Sequence, residues 1–250
     1  MQRYFIKSDQ LIGDKAIITG DDVHHISNVM RSNIGDQLIV CTCKKESYLM
    51  QIITLQKEEI KVQIVEKKEE NVELPVFVTI AQGMVKGDKF DLVLQKATEC
   101  GASAFVPVAM KRSVAKIDVK KVGKKVERWQ KITLEAARQS HRQVVPNVKM
   151  PIDMKGLVAM AGQYDVCLFA YEACGRDGKY GLADAIREFK PNMRVLVLIG
   201  PEGGVDESEV EILRDAGFMT VGLGPRILRT ETAPIYLMSA ISYALEIEGR

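Results

Sequence analysis

Two loops carry the residue types from which a ligand site can be built. The first, Gly200-Pro201-Glu202-Gly203-Gly204, follows the apolar run Val195-Leu196-Val197-Leu198-Ile199. The second, Leu223-Gly224-Pro225-Arg226-Ile227-Leu228-Arg229-Thr230-Glu231-Thr232-Ala233, follows the run Phe218 to Gly222. Glycine at a strand end permits positive φ and lets backbone approach a ligand closely. The Leu223-Gly224 and Ile227-Leu228 segments add apolar walls. Backbone hydrogen bonds inside an apolar cleft suit an adenine ring. In an open α/β sheet, ligands bind outside the carboxyl ends of strands, where both loops fall. Arg229 either stabilises a developing negative charge or pairs with Glu231 or Glu202. Each carboxylate either accepts a proton or caps its own loop. His141 is a base by its chemistry or an exposed imidazole. His24 and His25 read as structural residues.

Two common phosphate-binding patterns are excluded. Gly175-Arg176-Asp177-Gly178-Lys179 is followed by Tyr180 rather than Ser or Thr, so it is no Walker loop. Gly222-Leu223-Gly224 has Ile227 where a dinucleotide fingerprint needs its third glycine. Cys41-Thr42-Cys43 has no second Cys/His pair at zinc spacing, so two same-face strand residues are expected and no metal.

The elements that position the loops follow from periodicity. From Val76 onward strands and helices alternate. Strands are expected at Val76 to Ala81, Ala104 to Val108, Val166 to Ala170, Val195 to Ile199 and Met219 to Gly222. Helices are expected at Lys89 to Cys100, Val119 to Gln139, Leu182 to Glu188, Glu207 to Ala216 and Pro234 to Glu248. Asp206 with Glu209 forms a capping-box start, Thr232 is the expected cap of the last helix, and Gly101 stops the first. This alternation means a mainly parallel sheet with helices on both faces. Residues 1 to about 67 are instead rich in short strands, at Ala16 to Thr19, Gln37 to Cys43, Tyr48 to Leu55 and Ile60 to Val65. One helix follows Asp21-Asp22, and the whole suggests a small barrel. The charged run Glu66-Lys67-Lys68-Glu69-Glu70, ending at Pro75, reads as a linker.

Composition bounds the setting. The 250 residues are 46% hydrophobic, enough for one large domain or two smaller ones. No apolar run of roughly 18 residues exists, so no membrane span is expected. Five cysteines without a regular spacing fit a reducing cytoplasm. Net charge is only +2, yet Lys111 to Arg142 holds eleven basic residues against three acidic ones. A local excess of that size attracts phosphate backbones.

The two loops together resemble those of the trefoil-knot (SPOUT) RNA methyltransferases, and more narrowly the bacterial small-subunit ribosomal RNA uracil-N3 methyltransferases. Lys86-Gly87-Asp88-Lys89, Gln95-Lys96-Ala97-Thr98-Glu99, Gly101, Arg112-Ser113, Trp129, Glu135-Ala136-Ala137 and Gln139-Ser140 are similar to that family's helix and basic segments. His24 and Arg31 match its N-terminal segment, while Arg138 and His141 depart from residues common there.

The resemblance implies a fold that periodicity does not. Strand count alone suggests an unknotted doubly wound sheet. The family implies an N-terminal PUA-like β-barrel RNA-binding domain over residues 1–70 and a C-terminal knotted (trefoil), mainly parallel α/β methyltransferase domain over 71–250. It implies S-adenosylmethionine as donor, methylation of N3 of a uridine in 16S ribosomal RNA, and a homodimer with Pro234 to Glu248 as interface. The substrate would be the free RNA or the assembled small ribosomal subunit. Expected cofactor contacts are Tyr171, Glu172, Leu198, Ile199, Gly200, Pro201, Gly203, Leu223, Gly224, Ile227, Leu228, Arg229, Thr230 and Ala233. Arg229 and Glu231 are the expected catalytic residues. Arg3, His24, Arg31, Lys89, Arg112, Arg138, His141 and Arg142 are expected on RNA. A methyltransferase acting on another RNA or atom, and a non-catalytic ribosome-assembly factor, stay open.

Overall fold

The computed structural model describes residues 1–42, 44–115, 121–172 and 181–248. Cys43, the basic residues Lys116 and Lys120, the start of the helix expected from Val119, and the excluded Gly175-to-Tyr180 motif lie outside them. The chain forms two compact units. One comprises Met1–Glu73 together with Ala137–Val145, the other Leu74–Ala136 together with Pro146–Arg250.

The first unit is built on β1 (Arg3–Ile6), β2 (Leu11–Ile12), β3 (Lys15–Thr19), β4 (Gln37–Thr42), β5 (Ser47–Leu55) and β6 (Glu59–Lys68). They form one six-stranded sheet in the order β1-β4-β5-β6-β3-β2. Only the β1–β4 pair is parallel. Alternate residues, among them Leu38 and Val40, Met50 and Ile52, Ile60 and Val62, point into a shared core with Tyr4 and Ile26. Helix α1 (Asp21–His24) runs on as a π turn over His25–Val29. The charged run expected as a linker continues β6 as far as Lys68, because Tyr48 and Ser47 offer it a paired strand edge.

The segment from Ala137 to Val145 is held in this unit by buried charge. Glu73 accepts from the Arg142 guanidinium, from the Gln143 amide at 2.8 Å and from the Val144 amide at 3.1 Å. Both side chains are about 5% exposed or less. Gln143 Nε2 also donates to the Glu70 carbonyl at 2.8 Å and to Ser47 Oγ at 3.2 Å. Arg138 pairs with Asp22 and lies over the Tyr4 ring at 5.6 Å. Arg3 pairs with Glu70 at 2.8 Å.

The second unit is a seven-stranded, all-parallel sheet. Its strands are β7 (Phe77–Gly83), β8 (Ala104–Ala109), β9 (Asn147–Val148), β10 (Ile152–Asp153), β11 (Val166–Ala170), β12 (Arg194–Ile199) and β13 (Met219–Val221). The order is β10-β8-β7-β12-β11-β13, with β9 also on β8. β12 therefore lies between two strands that precede it in the chain.

Helices α2 (Lys89–Glu99), α3 (Val122–Gln139), α4 (Met154–Ala161), α5 (Leu182–Arg187), α6 (Glu207–Asp215) and α7 (Thr232–Ser242) complete the described set, a π turn over Tyr243–Glu248 extending α7. The central strand is buried on both faces, as its unbroken apolar run requires. Val195, Val197 and Ile199 face Val93, Leu94, Leu237 and Ile241. Leu196 and Leu198 face Leu157, Val210 and Leu213. α6 begins with the expected capping box, Asp206 and Glu209 exchanging bonds with each other's backbone. The cap of α7 is Glu231 rather than Thr232, and its side chain makes no capping bond. α4 was not expected, since its apolar run lacks a polar face.

Removing Glu73 would leave Arg142 buried and unpaired. Glu73→Ala is expected to lower unfolding free energy by about 3–5 kcal/mol. Asp184→Ala, which breaks a pair whose side chains are 75% and 80% exposed, should leave the midpoint unchanged. Urea denaturation followed by circular dichroism measures both, and equal midpoints would refute the assignment.

Candidate active site

The carboxyl ends of β12, β11 and β13 open into a cavity of about 810 Å³. The size falls within the range of small-molecule clefts. Its walls are the loop after β12, the loop after β13 and the end of β11 at Tyr171 and Glu172. All but one of the expected cofactor residues line it. The exception is Leu198, which is fully buried and packs into the core on the α4/α6 face. Strand alternation turns Leu198 away from the loops and Ile199 toward them. Gly204, Val205, Pro225, Arg226 and Glu202 also line the cavity and were not among the expected contacts.

A small polar cluster ties the two loops. The Thr230 hydroxyl donates to the Gly200 carbonyl at 2.6 Å. Gln82, fully buried at the end of β7, donates from Nε2 to Thr230 Oγ1 at 2.9 Å. The same nitrogen reaches the Gly200 carbonyl at 3.4 Å and the Gly83 carbonyl at 3.2 Å. Gln82 escaped the sequence reading. The available signal was a lone amide at the end of an otherwise apolar strand. Beside it Gly83 is obligatory, because a Cβ there would stand 2.5 Å from the Pro201 nitrogen. Gly203 is equally confined, by Arg112 Cβ at 2.9 Å.

Charge at the cavity is unevenly partnered. Glu202 Oε1 accepts from Lys89 Nζ at 2.9 Å and from the Lys86 amide at 3.2 Å. Burial would raise its pKa, but the Lys89 bond, the backbone amides and the Lys89 charge together hold it below the usual carboxylate value. Arg112 donates to Asp206 Oδ2 at 3.3 Å and to the Gly203 carbonyl at 3.3 Å. Asp206 is held low by the Ser208 hydroxyl bond against a smaller burial effect, with the Ser208 amide and the charges of Lys111 and Arg112 assisting. Glu231 differs. Its side chain is 13% exposed, and Lys89 Nζ stands 3.9 Å from Oε2. No hydrogen-bond donor among the described residues reaches that buried oxygen. Arg229 is exposed on the same wall and makes no ion pair among the described residues, so pairing with Glu231 or Glu202 is not its role here.

The residues expected on RNA divide. Lys89 and Arg112 line the cavity. His24, Arg31 and His141 are exposed, the last two at φ 53° and 57°. Arg3 and Arg142 are corrections: they are 5% and 3% exposed and consumed by Glu70 and Glu73. Arg138 is a further correction, its guanidinium being mostly buried against Asp22 and Tyr4. A guanidinium buried against a carboxylate keeps its charge but is out of reach of a phosphate, and freeing it would leave the carboxylate uncompensated. His25 bonds Tyr4 Oη at 2.9 Å through Nδ1, the structural role expected of it. Among the described residues no group of three or more His, Cys, Asp or Glu could hold a metal ion.

The cavity suits a small nucleoside-bearing ligand. Apolar Ile199, Leu223, Ile227 and Leu228 supply walls, and two glycine loops supply close backbone.

Comparison with known proteins bears on this site. The RNA methyltransferase domain family matches residues 72–242, and the RNA methyltransferase PUA domain matches residues 18–65. The chain is 45% identical over 251 aligned positions to ribosomal RNA small subunit methyltransferase E of Bacillus subtilis (strain 168), covering 99% of this chain and 98% of that one. Among solved structures, ribosomal RNA small subunit methyltransferase E from Neisseria gonorrhoeae bound to S-adenosyl methionine superposes with a TM-score of 0.83. It is 27% identical, with 98% of each chain covered. A methyltransferase of Legionella pneumophila in complex with the same cofactor gives a TM-score of 0.82 at 28% identity, with 97% of each chain covered.

Proposed function

Because the chain belongs to the ribosomal RNA small subunit methyltransferase E family, we propose that it transfers the methyl group of S-adenosylmethionine to N3 of one uridine in 16S ribosomal RNA. The observation that carries the reading is the pair of loops locked through Thr230 and Gln82 around one cavity. Tyr171, Ile199, Gly200, Gly203, Leu223, Gly224, Leu228 and Ala233 are the residues that would hold the donor. Bound there, S-adenosylmethionine supplies an already activated methyl group. The protein's contribution is then alignment and exclusion of water.

Uracil N3 carries a proton near neutral pH, and its loss spreads negative charge onto the ring oxygens. We give the task of meeting that charge to Arg229, supported by its exposure on the cavity wall and its lack of an ion pair among the described residues. We assign the first unit, residues 1–73 with 137–145, to RNA binding and the second, 74–136 with 146–250, to methyl transfer; the boundary expected at residue 70 gives way because Glu73 and its partners hold 137–145 in the first unit. His24, Arg31, Lys89, Arg112 and His141 are the groups available to RNA. The target base must leave its stack to reach the donor.

The working form is a cytoplasmic homodimer acting on 16S ribosomal RNA or the assembled small subunit. Tyr236, Tyr243 and Ile247 support the dimer: on the last helix and its π turn they are 41%, 56% and 66% exposed. Sedimentation equilibrium at micromolar concentration should return twice the chain mass, and a monomer would remove that part of the proposal. No described helix is long and apolar enough to cross a membrane.

Incubation with radiolabelled donor and unmethylated small subunits or their RNA is expected to label 16S RNA. Nucleoside mass spectrometry should then find 3-methyluridine. Label on guanine or on a 2′-oxygen would overturn the N3 assignment, label on transfer RNA would overturn the substrate, and no transfer would favour an assembly factor. Arg112→Ala should weaken RNA binding across sequences and flatten its salt dependence. Unchanged RNA affinity at low and moderate salt would take Arg112 off the RNA.

A further inference from the structure

Methylation at N3 needs a group to receive the N3 proton, and the sequence offers Glu202, Glu231 and His141 without choosing among them. The structure separates the two carboxylates on the cavity wall. Glu202 is occupied. Its Oε1 takes the Lys89 ammonium at 2.9 Å and the Lys86 amide at 3.2 Å, and its proton affinity is depressed by them. It holds the loop after β12 to the start of α2, the capping role. Glu231 has the opposite environment. It stands at the cap position of α7 without capping it. Its side chain is only 13% exposed, and its nearest cation is Lys89 at 3.9 Å, beyond hydrogen-bond reach. Its Oε2 is buried with no donor among the described residues. Native proteins rarely keep a buried carboxylate oxygen without donors, and such groups concentrate where chemistry requires them.

We infer that Glu231, resting on the uracil-N3 reading above, is the catalytic base that accepts the N3 proton of the target uridine. The N3–H bond breaks toward the Glu231 carboxylate, which becomes the neutral acid. The N3 electron pair forms the bond to the transferred methyl carbon. The carbon–sulfur pair leaves with sulfur, so the sulfonium charge is discharged as the proton is given up. Arg229, two residues earlier on the same loop, faces the uracil oxygens while this occurs. Lys89 stands between Glu202 at 2.9 Å and Glu231 at 3.9 Å, and does not occupy Glu231 by a hydrogen bond.

The test compares wild type, Glu231→Gln and Glu231→Asp. Wild type is first shown to form 3-methyluridine. If it does not, the functional reading fails and the base assignment falls with it for that separate reason. Given that product, Glu231→Gln should lower kcat by about 10²–10⁴-fold. Its affinity for S-adenosylmethionine by calorimetry, and its affinity for RNA, should match wild type. Glu231→Asp, which keeps a carboxylate on a shorter arm, should fall between them. Substrate RNA carrying 5-fluorouridine at the target has a more acidic N3 and should recover a large part of the Glu231→Gln loss. A merely structural role would not produce that rescue. Unchanged kcat in Glu231→Gln, or loss without rescue by the fluorinated base, would overturn the proposal. So would weakened cofactor binding, which would place the carboxylate on the donor's positive charge.

Discussion

The carbonyl of Gly200 is the point through which the site is held together. It accepts the Thr230 hydroxyl at 2.6 Å and lies within reach of the Gln82 amide at 3.4 Å. Those three residues come from β7, the loop after β12 and the loop before α7, separated by up to 148 positions in the chain. Loops at strand ends are intrinsically free to move. Here a buried, low-dielectric cluster fixes two of them against each other, where each hydrogen bond is stronger than it would be in water. The close approach of Gly83 to Pro201 leaves no room for slack.

That clasp depends on the position of β12. Buried on both faces by helices from different parts of the chain, β12 lies between β7 and β11 and delivers its loop beside theirs. The cavity is thus a consequence of strand order, and of Glu202 and Glu231 on its wall only Glu202 is hydrogen-bonded among the described residues. Glu202 is spent on fastening its loop, whereas Glu231 is not.

Much of this was legible in the sequence. The apolar run at Val195 and the glycine-bearing loops announced strand and ligand turn, and Asp206 with Glu209 announced α6. What was illegible has common causes. Arg142 and Arg3 carry the sign of RNA contacts, but their partners Glu73 and Glu70 are 69 and 67 positions away. Local charge counting cannot see them. Gln82 reads as an ordinary polar residue until the loops that it serves are folded over it. Leu198 falls outside the cavity lining because neighbouring residues of a strand alternate between its faces. α4 hid because Met154–Ala161 is apolar nearly all round, a pattern shared by buried strands and buried helices.

The Gly200–Thr230–Gln82 clasp shapes the donor cavity. Calorimetric titration of S-adenosylmethionine into Gln82→Leu, with folding verified by circular dichroism, measures its effect. Losing a buried hydrogen bond of about 1.4 kcal/mol should raise Kd roughly tenfold while the protein stays folded. A folded Gln82→Leu protein that binds the donor with wild-type affinity would contradict the account.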